Sequence, residues 1–109
     1  MSFKVLFIGH APDADKSIHR SIIDTGLYKL YSVIVRNQDE AIEVSKEIHE
    51  KENIDAVILC PGFTHIEIAE IYHNLDGEVS VNVARVMDRV VEFLNLQGKD
   101  QTLNRKCYN

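Results

Sequence analysis

The chain has 109 residues, of which 45% are hydrophobic and 27% charged, values typical of one globular domain. Its formal net charge is -5 and its basic residues are scattered, which excludes a basic phosphate-binding face and therefore nucleic acid as a partner. No apolar run approaches the roughly 20 residues of a transmembrane helix, and no polybasic patch is present, so no membrane partner is predicted. The apolar stretch at the N-terminus predicts a strand rather than a signal peptide.

The first half of the chain predicts three elements. Residues 3–9, FKVLFIG, are apolar and rich in β-formers, as in a strand buried on both faces. We predict a helix over 16–25, capped by Asp13 or Asp15 and closed by Gly26. Its narrow apolar stripe would consist of Ile18, Ile22 and Ile23. Residues 30–36, LYSVIVR, predict the second strand.

The middle of the chain continues the alternation. Asn37 and Glu40 form an N-cap pair for an amphipathic helix that runs to about Glu52. Residues 54–60, IDAVILC, then predict a third buried strand.

The end of the chain adds two helices and a strand. Thr64 and Glu67 match the capping box S/T-x-x-E and open a third helix. Residues 78–84 predict the fourth strand, and 86–97 predict a last helix. The apolar side chains of that helix are Val86, Val90, Val91, Phe93, Leu94 and Leu96.

This alternation predicts the fold class. Strands and helices joined by short connections indicate parallel strands with right-handed helical crossovers. We therefore predict a single three-layer α/β/α domain over 1–98 with about four parallel strands, resembling a flavodoxin-like fold or half of a Rossmann fold. With the four strands numbered along the chain, 2-1-3-4 is the simplest order across the sheet. Residues 99–109 form a polar tail.

Chemistry is expected where the parallel strands end. Ligands of open parallel sheets bind outside the carboxyl ends of the strands, which places the segments after each strand on one rim. Backbone N–H groups from Phe63 to Ile66 at a helix start offer an anion site, and Arg85 could clamp a carboxylate. The leading hypothesis is a homodimeric binding module for a small anionic ligand, in which part of the apolar last helix could form the dimer face. Its predicted ligand-binding residues are His10, Asp13, Asp15, Gly62, Phe63, Thr64, His65 and Arg85.

Cys60 supports an alternative, a small enzyme. A thiol just before a helix N-terminus is activated by the helix dipole, and His10 or His65 could serve as its base or as an acid–base pair. The competing interpretation is a small apolar residue closing a buried strand. A third possibility is a structural or interaction subunit whose apolar last helix contacts a partner. The sequence leaves open whether the protein is an enzyme.

No cofactor or metal is predicted. The chain has neither G-x-G-x-x-G after the first strand nor G-x-x-x-x-G-K-[ST]. Asp13 and Asp15 with His10 and His19 match no strong metal-ligand spacing.

The cysteines indicate the compartment. Cys60 ends an apolar run and Cys107 lies in the polar tail, so the two do not make a disulfide framework. A reducing, cytoplasmic location is therefore predicted.

Three segments carry a family resemblance: FKVLFIGHAPDAD, YKLYSVIVRNQDEAIEV and IDAVILCPGFTHIEIAEI. Over roughly residues 3–86 the chain resembles a family of small bacterial and archaeal α/β proteins of unknown function. The most specific elements are APDAD with His19, CPGFTH and VARV. The resemblance implies an α/β fold and draws attention to these loops, and it implies no activity.

Overall fold

Five strands and two helices make up residues 2–84, the part of the chain that the computed structural model describes. The elements are β1 (Phe3–His10), β2 (Arg20–Asp24), β3 (Tyr28–Val35), α1 (Gln38–Glu52), β4 (Ala56–Leu59), α2 (His65–Asn74) and β5 (Ser80–Val83).

All five strands belong to one sheet, in the order β2-β3-β1-β4-β5. Strands β3, β1, β4 and β5 are parallel, and β2 runs antiparallel to β3. The four predicted strands correspond to β1, β3, β4 and β5, so the order β3-β1-β4-β5 is the predicted order 2-1-3-4. Because they point the same way, their carboxyl ends share one edge of the sheet, which we call the carboxyl edge.

Each helix begins where its capping residues predict. The side-chain oxygen of Asn37 accepts the Glu40 N–H at 2.9 Å at the start of α1. At the start of α2 the Thr64 hydroxyl accepts the Glu67 N–H at 3.2 Å, while the Glu67 carboxylate accepts the Thr64 N–H at 2.9 Å. This reciprocal pair is the predicted capping box.

Both helices pack on the same face of the sheet and contact each other. Gln38 of α1 donates its side-chain N–H to the Glu67 carbonyl at 3.1 Å and to the Glu70 carboxylate at 2.9 Å. Between helices and sheet lies one hydrophobic cluster. Its fully buried members include Leu6, Ile8, Val35, Ala41, Val44, Val57, Leu59 and Ile71.

The predicted helix over 16–25 is wrong. A short turn follows β1, and residues Arg20–Asp24 form the edge strand β2. β2 and β3 make a hairpin in which Gly26 takes a φ of 100°, and the Asp24 carboxylate accepts the Gly26 N–H at 2.8 Å. The adjacent isoleucines 22 and 23 favour this outcome, because β-branched side chains suit a strand and β3 offers a free edge.

The sheet therefore differs from the predicted four-stranded, three-layer domain. Within residues 2–84 it has five strands, one of them antiparallel, with two helices on a single face. A mixed α/β fold with a mostly parallel sheet is the class that stands. The predicted last helix over 86–97, Arg85, Cys107 and the domain boundary at 98 lie outside the described residues.

Candidate functional site

His10 and Phe63 form an aromatic pair at the carboxyl edge. His10 is the last residue of β1 and is exposed, whereas Phe63 lies before α2 and is buried in the core cluster. Their ring centroids are 4.7 Å apart and the ring planes are inclined by 21°, a stacked arrangement. The imidazole is thus held against a fixed ring while part of it stays open to solvent.

Cys60 and Gly62 lie beside this pair. Cys60 follows β4 directly, and its N–H donates to the Ile8 carbonyl of β1 at 3.0 Å, so the two strand ends are bonded together. A Cβ atom built on Gly62 would stand 3.8 Å from both the Cys60 Sγ and the His10 Nδ1. Thiol and imidazole therefore border the same small surface above Gly62. Cys60 is half-buried and is a free thiol.

The start of α2 supplies two backbone donors. The capping box occupies the N–H groups of Thr64 and Glu67, and the Phe63 N–H donates to the Cys60 carbonyl. Among residues 2–84 no partner accepts the N–H groups of His65 and Ile66. These two groups point out of the positive end of the helix dipole.

The loop after β1 is fixed to the end of β3. Arg36, the residue after β3, donates its Nε–H to the Ala14 carbonyl at 2.8 Å, and Ala14 is buried beneath it. The Ala11 N–H donates to the Val35 carbonyl at 2.9 Å. Arg36 was not among the predicted site residues. Its position immediately after a strand, at the carboxyl edge, is the signal that could have identified it.

Asp15 organises the turn within that loop. Its carboxylate accepts the Ser17 hydroxyl at 2.6 Å and the Ser17 N–H at 3.0 Å, and its own N–H donates to His19 Nδ1 at 2.9 Å. The Ser17 hydroxyl, and then the Ser17 N–H, hold the pKa of Asp15 below its ordinary value. Asp15 and His19 are thus occupied in closing a turn.

The predicted site residues fall into two groups. Contacts bring together His10, Cys60, Gly62 and Phe63, with Thr64 and His65 following in the chain. Asp15 bonds within its own turn, Asp13 is exposed, and in the described part of the chain neither is hydrogen-bonded to the first group. Arg85 lies outside the described residues. No group of three or more His, Cys, Asp or Glu residues in 2–84 is arranged to hold a metal ion.

Neither α1 nor α2, the two helices among the residues described, combines the length and the apolar character needed to cross a membrane.

Sheet order and strand-end residues define the class of protein: a mixed α/β domain with an open, mostly parallel sheet and a polar, aromatic rim at its carboxyl edge. The model of a family of unknown function, DUF6506, matches residues 3–95, and the chain belongs to this family. The resemblance to a family of unknown function is thereby confirmed.

The bacterial and archaeal membership of that family and its characteristic motifs stay predictions. Searches of curated proteins and of solved structures returned no match.

Proposed function

We propose that the chain is a binding module for a small anionic ligand, held at the carboxyl edge between His10 and the first turn of α2. The stacking of the exposed His10 ring on the buried Phe63 ring is the observation that carries this proposal. A surface histidine is usually free to rotate. Here the imidazole is already ordered, so less side-chain entropy is lost when it binds a ligand.

The preference for an anion rests on the donors around His10. An imidazole N–H and the free N–H groups of His65 and Ile66 would face a ligand placed above Gly62. The Glu67 carboxylate already bonds to the Thr64 N–H, so its negative charge would repel an anion on that side of the helix start. A compact anion on the His10 side of the helix start is therefore favoured over an extended one.

Arg85 would add a cation to the same edge. Ala84 lies next to β4, because its N–H donates to the Leu59 carbonyl at 2.7 Å, and Arg85 is the following residue. A role for Arg85 in binding is part of the proposal, as are the predicted contributions of Asp13 and Asp15 from the neighbouring loop.

Titration with inorganic phosphate and with acetate, followed by ¹H–¹⁵N NMR at constant ionic strength, tests the proposal. We expect saturable shifts at the amides of Gly62, His65 and Ile66. His10→Ala should weaken binding roughly tenfold or more, since a hydrogen bond to a charged group is worth about 1.5–3 kcal/mol.

His73→Ala is the matched control, because His73 is also exposed but lies in the last turn of α2. It should leave the titration unchanged. Uniform small shifts over the whole surface, or equal effects of the two substitutions, would contradict the proposal.

A second candidate function is nucleophilic catalysis by Cys60, favoured by the shared position of its Sγ and the His10 Nδ1 beside Gly62. If His10 is its base, iodoacetamide should alkylate Cys60 several-fold faster in the wild type than in His10→Ala at neutral pH. The measurement uses mass spectrometry in a Cys107→Ser background, and His65→Ala tests the other predicted base. Equal rates in all three proteins would exclude activation of the thiol by either histidine.

A further inference from the structure

Strand β2 lies at the edge of the sheet formed by residues 2–84. All five of its residues are exposed, and among residues 2–84 it pairs only with β3. Natural proteins usually protect such edges with charged side chains, proline, a bulge or a covering element, because unpaired backbone groups invite another strand. β2 has the sequence RSIID, in which the charged residues Arg20 and Asp24 stand only at the two ends. It contains no proline, and its pairing with β3 is continuous from Arg20 to Asp24.

Apolar side chains surround this edge. Ile22 is 60% exposed and Ile23 is 57% exposed, one on each face of the sheet. Ile18 and Leu27, at the two ends of the hairpin, are exposed to a greater extent still. So many exposed large aliphatic side chains on one short hairpin are typical of a surface that another polypeptide covers.

The hydrogen bonds within the hairpin show which backbone groups of β2 point outward. The Thr25 N–H donates to the Tyr28 carbonyl, and the His19 carbonyl accepts the Ile34 N–H. Backbone groups alternate in direction along an antiparallel strand, so the odd-numbered residues bond to β3. The N–H and C=O groups of the even-numbered residues, Arg20, Ile22 and Asp24, are therefore directed away from the sheet.

A second copy of the same strand complements this edge. With two β2 strands antiparallel and Ile22 opposite Ile22, Arg20 of one copy stands opposite Asp24 of the other at both ends. The outward N–H of Ile22 then reaches the Ile22 carbonyl of the second copy, and the N–H of Asp24 reaches the Arg20 carbonyl. Arg20, Ile22 and Asp24 also share one face of the sheet, since their partners are Val33, Tyr31 and Lys29.

Other registers lose this match. Shifting by two residues one way places Arg20 opposite Ile22 and leaves Asp24 opposite Ile18. The opposite shift places Asp24 opposite Ile22 and Arg20 opposite Gly26. A parallel, in-register pair would place like charges together. Among these registers, only the one centred on Ile22 pairs Arg20 with Asp24 at both ends and Ile22 of one copy with Ile22 of the other.

The local contacts of Arg20 are compatible with this pairing. Its Nε–H donates to the Lys16 carbonyl at 2.7 Å, and one terminal nitrogen lies 3.7 Å from the Glu47 carboxylate. The guanidinium has five N–H donors, so it can serve a second carboxylate as well. The Arg20 N–H donates to the Ile18 carbonyl at 2.9 Å, and the outward bonds above do not use it.

We infer that the chain forms a twofold homodimer by antiparallel pairing of β2 with β2 centred on Ile22, joining two five-stranded sheets edge to edge. This assigns the dimer face to β2, whereas the sequence alone placed it on the last helix. An interface of two short strands belongs to the small size class, so association is expected at micromolar concentration. It is independent of the ligand proposed at the carboxyl edge.

Charge reversal tests the register. Sedimentation velocity over about 1 µM to 1 mM should show wild-type dimerisation. Arg20→Asp and Asp24→Arg should each raise the dimer dissociation constant at least roughly tenfold, because each creates two like-charged cross-strand pairs. The double variant should restore dimerisation. An equimolar mixture of the single variants should form heterodimers, because every cross-strand charge pair is then opposite in sign.

Two further variants separate pairing from folding. Ile22→Pro removes an N–H that points outward, which an edge strand tolerates, so the fold should remain and the dimer should be lost. Glu50→Arg reverses an exposed charge on α1 and should leave the dimer unchanged. A wild-type monomer throughout the concentration range, a dimer that survives Ile22→Pro, or single variants that fail to associate when mixed would each overturn the inference.

Discussion

Replacing Ile71 by alanine is expected to lower the free energy of unfolding by about 2–5 kcal/mol. Ile71 is fully buried in α2, within the cluster that joins both helices to the sheet. Alanine removes three carbon atoms and leaves a cavity in a closely packed region. A loss of this size is a large share of the roughly 5–15 kcal/mol typical of a native domain. Urea unfolding, followed by circular dichroism, measures it.

The same helix provides the control. Ile66 lies one turn and a half earlier and is 80% exposed, so Ile66→Ala removes the same atoms without creating a cavity. Its effect should stay within about 0.5 kcal/mol, helped by the higher helix propensity of alanine. Similar losses for both substitutions would mean that α2 is not packed on the sheet as described.

The second large effect is expected at Phe63, where the core meets the candidate site. Phe63→Ala should lower the free energy of unfolding by about 3–5 kcal/mol, because the ring is buried in the core cluster. It should also release His10, since the stacked ring 4.7 Å away is its support. The His10 ring protons should then shift toward solvent-exposed values in the NMR spectrum, and phosphate binding should weaken.

Phe3→Ala is the control, because it removes the same aromatic ring from a partly exposed position. Phe3 is 51% exposed at the start of β1, far along the strand from His10, so a loss of about 1 kcal/mol is expected. The His10 resonances should not move. A His10 spectrum that is unchanged in Phe63→Ala would show that the stacking does not order the imidazole, and the binding proposal would lose its main support.

The arrangement of the predicted site residues depends on backbone bonds that join different strands. Cys60 is brought to His10 because its N–H bonds to the Ile8 carbonyl of β1. The Asp15 carboxylate instead bonds to Ser17 within its own turn. Arg36 holds this loop at the end of β3 by its bond to the Ala14 carbonyl. The sequence placed these residues on one edge but did not separate them into two groups, since that separation depends on which neighbour each loop bonds to.

The sequence by itself determined the elements whose signals are local. The caps at Asn37 and Thr64 act within one helical turn, so both helix starts could be read directly. The apolar runs of β1, β3 and β4 likewise fixed the strands, and parallel connections limited their order.

Only the tertiary structure determined that residues 20–24 form a strand, and therefore that the sheet has a fifth, antiparallel strand. Ile18, Ile22 and Ile23 fit a narrow helical stripe, yet adjacent β-branched residues before an Asp-Thr-Gly turn also suit a hairpin. The free edge of β3 settled the choice, because pairing there satisfies backbone groups that a short helix would leave exposed. That pairing in turn created the exposed edge from which the dimer is inferred.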